Sequence, residues 1–560
     1  KEIVKYIILL SLSFVFARFP DAVGTHGMVV SSHKFASEAG LEILRNGGNA
    51  IDAAIATGFV LAVVHPGAGN IGGGGFMVIR LADGTVTTID FRETAPAAAF
   101  RDMFLNDSMQ VIPGKSWNSS WASGVPGSVA GYGYAHKKYG TAKWKTLLTP
   151  AVKLAENGFP LDYLNMNYFN SEYYNAYLSN DPESSKIFSK DGHFDLGESF
   201  VQKDLGKTLE RIATQGWQEF YRGKTADLLI SCMHRTEGLI TKADLETYQV
   251  VERFPITFDY RGYEIHSMPP ASSGGIAIAC ILNQLENIQL DSLKYHSAQH
   301  IHYVAEAERR VYADRAEFLG DMDFVPVPID RLISDDYAGE RWESVDSLKA
   351  FPSENITHGD IPFHYNESEE TTHFSVVDQW GNAVSVTTTV NGWFGSGIVV
   401  GGAGFLLNNE MDDFSSKPGT PNAYGLVGNA ANAIEPGKRM LSSMSPTIVE
   451  TPEGELFLVL GSPGGSTIIT TTAQIIMNVI DFGMYIEDAV ESPRFHHQWL
   501  PDMIQFESSG FSSETVQALE DRGHGVKFRG SIGEANCIQY KDGYYYGSAD
   551  SRKNANAAGY

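Results

Sequence analysis

The run TTHFSVVDQWGNAVSVTTTVN, residues 371–391, decides how the chain is read. Residues 371–378 alternate along the chain, Gly381-Asn382 turns it, and residues 383–390 alternate again. Period-two alternation on both sides of a short glycine turn is a β-hairpin signature. Upstream, residues 346–370 include SLKAFPSENITHGDIPFHYNESEE, which is polar, acidic and poor in aliphatics. Such a stretch reads as an exposed linker. A core strand therefore begins at Thr371-Thr372, where a polar segment that tolerates cutting ends.

Working outward toward the N-terminus, residues 33–45 read as a helix carrying Ala36, Leu41 and Leu44, stopped by Gly47-Gly48. Asn49 caps a second apolar helix that runs to about Val64, and Pro66 ends it. Gly72 to Gly75 then lead into a strand at 76–80, and a second strand at 86–92 follows the Asp83-Gly84 turn. Glycines that enter a strand rather than a helix do not make a dinucleotide-binding loop, and no P-loop sequence is present. Residues 127–158 read as helical with Pro150 at a helix start. Residues 160–200 are aromatic and polar without a clear period. A long helix is expected over 298–318, with Ile301, Val304, Val311 and Phe318 on its apolar side. His300 and His302 face different sides of that helix, which favours packing over metal ligation. Three loops dense in Gly, Asn, Ser and acids fall near expected strand ends: residues 408–413, 442–446 and 461–466. Such loops offer backbone N–H groups and short polar side chains to a ligand.

Composition bounds the function. A chain of 560 residues allows about three to five domains or one large α/β unit. Forty-two basic against 67 acidic residues give a net charge of −25, which argues against nucleic-acid binding. An apolar content of 43% excludes a disordered chain. Cys232, Cys280 and Cys537 stand far apart with no CxxC, so zinc ribbons, thioredoxin-type pairs and disulfide scaffolds are excluded, and buried small hydrophobes are expected. Residues 1–18 place Lys1 and Lys5 before a short apolar run, as in an export signal with Ala17 or Ala22 near cleavage; a buried N-terminal element is the alternative. No later segment is long and apolar enough for a stable membrane span, so a periplasmic or secreted protein is expected.

Several chemistries drop out. The chain has no G-x-S-x-G elbow and no H-E-x-x-H, and the adjacent His496 and His497 point apart in a strand. No metal or other cofactor is expected. A threonine whose base is its own α-amine remains. That amine has a pKa of about 7.7–8.0 and works near neutrality without a histidine. It requires a cut just before Thr371.

The hairpin run, together with LLNNEMDDFSSKPGTPNAYGLVG, LSSMSPTIV, GSPGGS and PRFHHQWLPD, resembles the bacterial γ-glutamyltranspeptidases. GMVVSSH, EAGLEILRNGGNAIDAAIA, HPGAGNIGGGGFMVIR, DFRETAP, MPPASSGG and ADRAEFLGD extend the resemblance through the N-terminal half. The resemblance implies an α+β fold of the N-terminal nucleophile hydrolase kind, an αββα sandwich of two stacked antiparallel sheets between helix layers. It implies a proenzyme that cuts itself between Glu370 and Thr371. Residues 19–370 would form the large subunit and residues 371–560 the small one, both parts of one domain. Thr371 would attack glutathione or another γ-glutamyl compound and pass the γ-glutamyl group to water, an amino acid or a dipeptide.

Further roles carry over by position. Thr389 matches the threonine that orients the nucleophile, and Gly464 and Gly465 match oxyanion-hole glycines. Arg92, Ser442 and Ser443 match the clamp on the substrate α-carboxylate. Asn391, Glu410 and Asp413 match the groups around the α-ammonium. Tyr424, in the loop 417–426, matches a lid residue. This chain departs from the pattern in the Glu369-Glu370 pair before the nucleophile, where an added negative charge would slow autocleavage. Two rivals are a cephalosporin-type or poly-γ-glutamate acylase of the same fold and an unprocessed γ-glutamyl-binding protein.

Overall fold

The structure, a computed structural model, describes residues 19–189, 193–359, 371–417 and 431–560. The expected hairpin forms as strands Thr372–Val377 and Ala383–Thr389, antiparallel with Thr372 opposite Thr388. Asp378 organises its turn: the carboxylate accepts from the backbone N–H groups of Trp380 and Asn382, and also from that of Ala50 at the start of a helix. Turn and helix are thus fixed together.

The hairpin sits at the centre of a seven-stranded antiparallel sheet. The order is Asn556–Gly559, Met28–Ser31, Thr372–Val377, Ala383–Thr389, Gly74–Arg80, Val86–Asp90, Val251–Arg253. A second seven-stranded sheet runs Ala22–Gly24, Tyr544–Ala549, Asn536–Lys541, Leu456–Leu460, Thr447–Glu450, Tyr263–Ser267, Ile256–Tyr260. Val30, Val78 and Val377 from the first sheet meet Ile448, Val459 and Ile538 from the second in a shared apolar layer. The central strands Gly74–Arg80, Thr372–Val377 and Ala383–Thr389 are buried at every residue, on both faces.

Helices cover the outer faces. Lys34–Arg45 and Ala50–Val64 pack on the first sheet, and Gly274–Leu285, Ala298–Phe318 and Thr467–Ile480 on the second. Asn49 and Asp52 form a reciprocal capping box for Ala50–Val64, a helix buried along its whole length. The glycine run serves close approach: a Cβ on Gly73 would collide with the Thr389 carbonyl oxygen, and one on Gly75 with that of Thr387.

Two expectations are corrected. Residues 127–158 form two helices, Ser128–Tyr139 and Trp144–Asn157, and Pro150 lies inside the second rather than at its start. The proline removes one backbone donor, and packing of Leu147, Leu148 and Ala151 in the core holds the helix regardless. The aromatic stretch 160–200 contains three short helices, Tyr163–Asn170, Glu172–Ser179 and Pro182–Phe188. The described part of the expected linker, residues 346–359, is exposed at most positions, as its composition implies, and is pinned at a few points: Ser353 is buried, its N–H donates to Asp502 at 2.8 Å, and Arg309 Nη1 donates to the Phe351 carbonyl at 2.5 Å.

His300 and His302 are both buried. Nδ1 of His302 meets Nε2 of His524 at 2.8 Å, and Nε2 meets the Asp346 carbonyl. Glu306 beside them is paired with Arg309 and Arg310, so its charge is already matched. The three cysteines are buried with free thiols. Among the described residues no helix is long and apolar enough to cross a membrane. The N-terminal run 1–18 lies outside the described residues.

His373, in the central strand, gives a pH prediction. Its ring is enclosed between Thr387 Oγ1 at 2.9 Å and Ser375 Oγ at 3.1 Å, and burial pushes its pKa down to about 3. The unfolded chain binds the proton near pH 6.5 and the native one does not. The stability His373 contributes is therefore complete above pH 6.5 and lost as pH falls toward 3, at about 1.4 kcal/mol per unit. The stability difference between the wild type and His373→Asn is expected to shrink by about 2 kcal/mol between pH 7 and pH 5 in urea melts. A pH-independent difference contradicts the assignment.

Candidate active site

Thr371 stands at the head of the central strand Thr372–Val377, almost fully buried. The pairing of Thr372 with Thr388 brings Thr371 and Thr389 to the same end of the hairpin. Thr389 Oγ1 accepts the backbone N–H of Asn391 at 2.7 Å, and its carbonyl accepts from Asn70 Nδ2 at 2.8 Å. Asn391 leaves the strand with φ 67°, a left-handed conformation that asparagine tolerates, and its Nδ2 donates to the Asn409 carbonyl at 2.9 Å. This ties the strand end to the 408–413 loop, where Glu410–Asp413 form a single 3₁₀ turn.

Against this end lies a buried charge cluster. Arg92 follows strand Val86–Asp90 and is 1% exposed. It pairs with Asp413, reaches Glu410 at 2.7 Å and Glu93 at 3.7 Å, and donates through Nε to the Met440 carbonyl at 3.2 Å. Interaction with the Thr389 side chain also favours the charged form of Glu410. The sequence reading assigned Arg92 to one end of a zwitterion and Glu410 and Asp413 to the other; the structure joins the two sets directly. Desolvated opposite charges lower their energy by pairing. Burial works against the Arg92 charge, but Glu410, Asp413 and Glu93 hold its pKa above the ordinary value. Burial drives Glu93 up to about 8 and Glu410 well above the carboxylate range, each opposed by Arg92. Burial thus favours the protonated forms of Glu93 and Glu410, and the Arg92 guanidinium opposes it.

Ser442 and Ser443 form the neighbouring wall. The Ser442 carbonyl accepts the backbone N–H of Ser273 at 2.7 Å, and Ser443 Oγ accepts from Arg315 Nη2 at 2.9 Å. Arg315 also donates through Nε to Ser273 Oγ at 3.0 Å. Arg315 and Glu93 are members of the site that sequence reasoning passed over. Arg315 belongs to the quoted ADRAEFLGD motif, and Glu93 directly follows Arg92; both signals were available.

Gly464 and Gly465 lie between strand Leu456–Leu460 and helix Thr467–Ile480. Their φ values of 131° and 66° are glycine conformations. Thr371 and Gly464 line one cleft of ≈ 210 Å³. A loop of this shape at a helix N-terminus can turn N–H groups toward developing negative charge. Glu370 and Tyr424 lie outside the described residues.

Two stacked antiparallel sheets between helix layers, with a threonine heading a central strand, define an N-terminal nucleophile hydrolase fold. The Gamma-glutamyltranspeptidase family profile matches residues 36–560, and the chain belongs to that family. It is 50% identical over 528 residues to the glutathione hydrolase proenzyme of Escherichia coli strain K12, covering 94% of this chain and 90% of that one. The corresponding proenzyme of Bacillus subtilis strain 168 is 38% identical, with 96% and 92% covered. Among solved structures, the γ-glutamyltranspeptidase of Helicobacter pylori is 46% identical with a TM-score of 0.58, over 60% of this chain and 96% of that chain. A cephalosporin acylase from Bacillus halodurans is 26% identical with a TM-score of 0.86, over 99% of both chains.

Proposed function

We propose that the chain is a self-processing γ-glutamyltransferase and glutathione hydrolase. The Thr371 hydroxyl attacks the Glu370 carbonyl, and water opens the resulting ester to leave residues 19–370 and 371–560 as the two subunits of one heterodimer. The freed α-amine of Thr371 then serves as base for its own hydroxyl. Attack on a γ-glutamyl amide, glutathione among them, releases the amine and leaves a γ-glutamyl ester on Thr371. Water or the amine of an amino acid or dipeptide completes the turnover. Gly464 and Gly465 supply backbone N–H groups to the oxyanion. Arg92, with Ser442 and Ser443, takes the substrate α-carboxylate; Asn391, Glu410 and Asp413 take the α-ammonium; Tyr424 covers the pocket. The N-terminal run directs export to the periplasm or outside the cell.

One observation carries this reading: the buried Arg92–Glu410–Asp413 cluster packed against the Thr389 end of the hairpin. A zwitterionic head can exchange partners with such a cluster, its carboxylate going to Arg92 and its ammonium to the acids. A glutaryl group has no ammonium to offer. Hydrolysis of γ-glutamyl-p-nitroanilide is therefore expected to exceed that of glutaryl-p-nitroanilide by about 10²-fold in kcat/KM, the worth of a charged hydrogen bond in a buried site. Equal rates would turn the reading toward an acylase.

A further inference from the structure

The cleft beside Thr371 contains a second charged constellation. Among the described residues its walls include Glu534, Arg529, Lys553 and Trp393, side chains distinct from the Arg92 cluster. Glu534 is 3% exposed, and its Oε1 has no hydrogen-bond partner among the described residues. A buried carboxyl oxygen left without a donor costs free energy and calls for a ligand that supplies one.

The segment that carries Glu534 is braced on both sides of the reaction centre. Gly533 packs on Gly464: a Cβ on Gly464 would come 3.1 Å from the Gly533 Cα. The Glu534 N–H donates to Ser462 Oγ at 2.9 Å, within the same glycine loop. Two residues on, Asn536 Nδ2 donates to the His373 carbonyl at 2.9 Å and lies 3.4 Å from Ser32 Oγ, which in turn lies 3.0 Å from Thr372 Oγ1. Glu534 is thereby fixed relative to both the nucleophile strand and the expected oxyanion loop. Burial, partly offset by Ser32 and Lys553, moves its carboxyl up to about 7.

We propose that Glu534 binds the acceptor: it pairs with the ammonium of an incoming amino acid or peptide and takes one proton from it. The inference rests on the transferase reading above and names a residue of its second half-reaction. The acceptor arrives as an ammonium ion, and one proton passes to the Glu534 carboxylate, leaving a lone pair on nitrogen. That pair forms the C–N bond at the γ-carbonyl. The C–O bond to Thr371 Oγ breaks, and Oγ takes a second proton from the same nitrogen. Glu534 then releases its proton to water in the cleft. Ester and ammonium become amide, hydroxyl and a solvated proton.

The test uses the processed enzyme with γ-glutamyl-p-nitroanilide as donor. The ratio of γ-glutamyl-glycylglycine to free glutamate is measured at fixed glycylglycine. Both products come from one acyl-enzyme, so the ratio does not depend on the fraction of folded protein. Glu534→Gln is expected to lower it at least 10-fold and raise the acceptor concentration for half-maximal transfer, with Glu534→Asp recovering part of the loss. With methanol, an acceptor without an ammonium, the transfer-to-hydrolysis ratio is expected to change less than 2-fold. An unchanged glycylglycine ratio overturns the proposal, and so does an equal fall with both acceptors. If Glu534→Gln yields no folded protein, Glu534→Asp decides alone: a glycylglycine ratio below the wild type's, and lowered more than the ratio for methanol, supports the proposal, and an unchanged ratio or parallel changes overturn it. A wild-type enzyme that releases no p-nitroaniline overturns the transferase reading itself, and the acceptor role with it.

Discussion

Thr371→Ala is expected to remain one uncut chain and to lose at least about 10⁴-fold in kcat/KM on γ-glutamyl-p-nitroanilide. Thr371 follows the polar stretch in sequence and immediately precedes a strand buried on every residue. Removing the hydroxyl takes away the group that attacks Glu370 and the group that attacks substrate. Alanine only removes side-chain atoms and position 371 precedes the paired residues, so the hairpin register from Thr372 onward is preserved and the folded chain is recovered. Denaturing electrophoresis reads the first effect and p-nitroaniline release the second. A cut chain, or one retaining activity within 10-fold, would remove Thr371 from both roles.

The second large effect falls on Arg92. Replacing it with methionine keeps the bulk and removes the only guanidinium that contacts Glu410 and Asp413 in the ion pairs described above. Taking one partner from a buried pair costs about 3–5 kcal/mol, because the remaining charge is left without compensation. Glu410 and Asp413 would lose their counter-charge, and the α-carboxylate of substrate would lose its fork. The expected result is a fall of about 10²- to 10³-fold in kcat/KM, carried mostly by KM. Arg92→Lys is expected to recover little, since a lysine offers a point charge where the site holds a planar fork across two carboxylates and the Met440 carbonyl. A KM within 3-fold of wild type in either variant would place the α-carboxylate elsewhere.

The central hairpin was legible because its determinants are local: alternation sets the strands, and the Asp378 turn closes them. The helix cap at Asn49 and the helix Ala298–Phe318 were legible for the same reason. Pro150 was misplaced because core packing overrides the proline's preference for a first turn. The segment after residue 346 is largely exposed, as its polar composition implies; what composition did not show is that its backbone is pinned by Arg309 and Asp502, partners distant in sequence. The site divides in the same way. Arg92, Asn391, Glu410, Asp413, Ser442 and Ser443 stood in motifs that read as a set. Arg315 stood in a quoted motif too, but its contact with Ser443, like the place of Glu534 in the cleft, is created by packing between segments distant in sequence. The direct pairing of Arg92 with Glu410 and Asp413 was likewise invisible, since a linear motif does not say which charges lie within reach of one another.

The central claim is that a threonine freed by cutting the chain performs the chemistry. Intact-mass measurement of the purified, active enzyme tests it most directly. The account predicts two chains, the smaller beginning at Thr371. An active enzyme recovered as one uncut chain, or one whose smaller chain begins at any other residue, would contradict it.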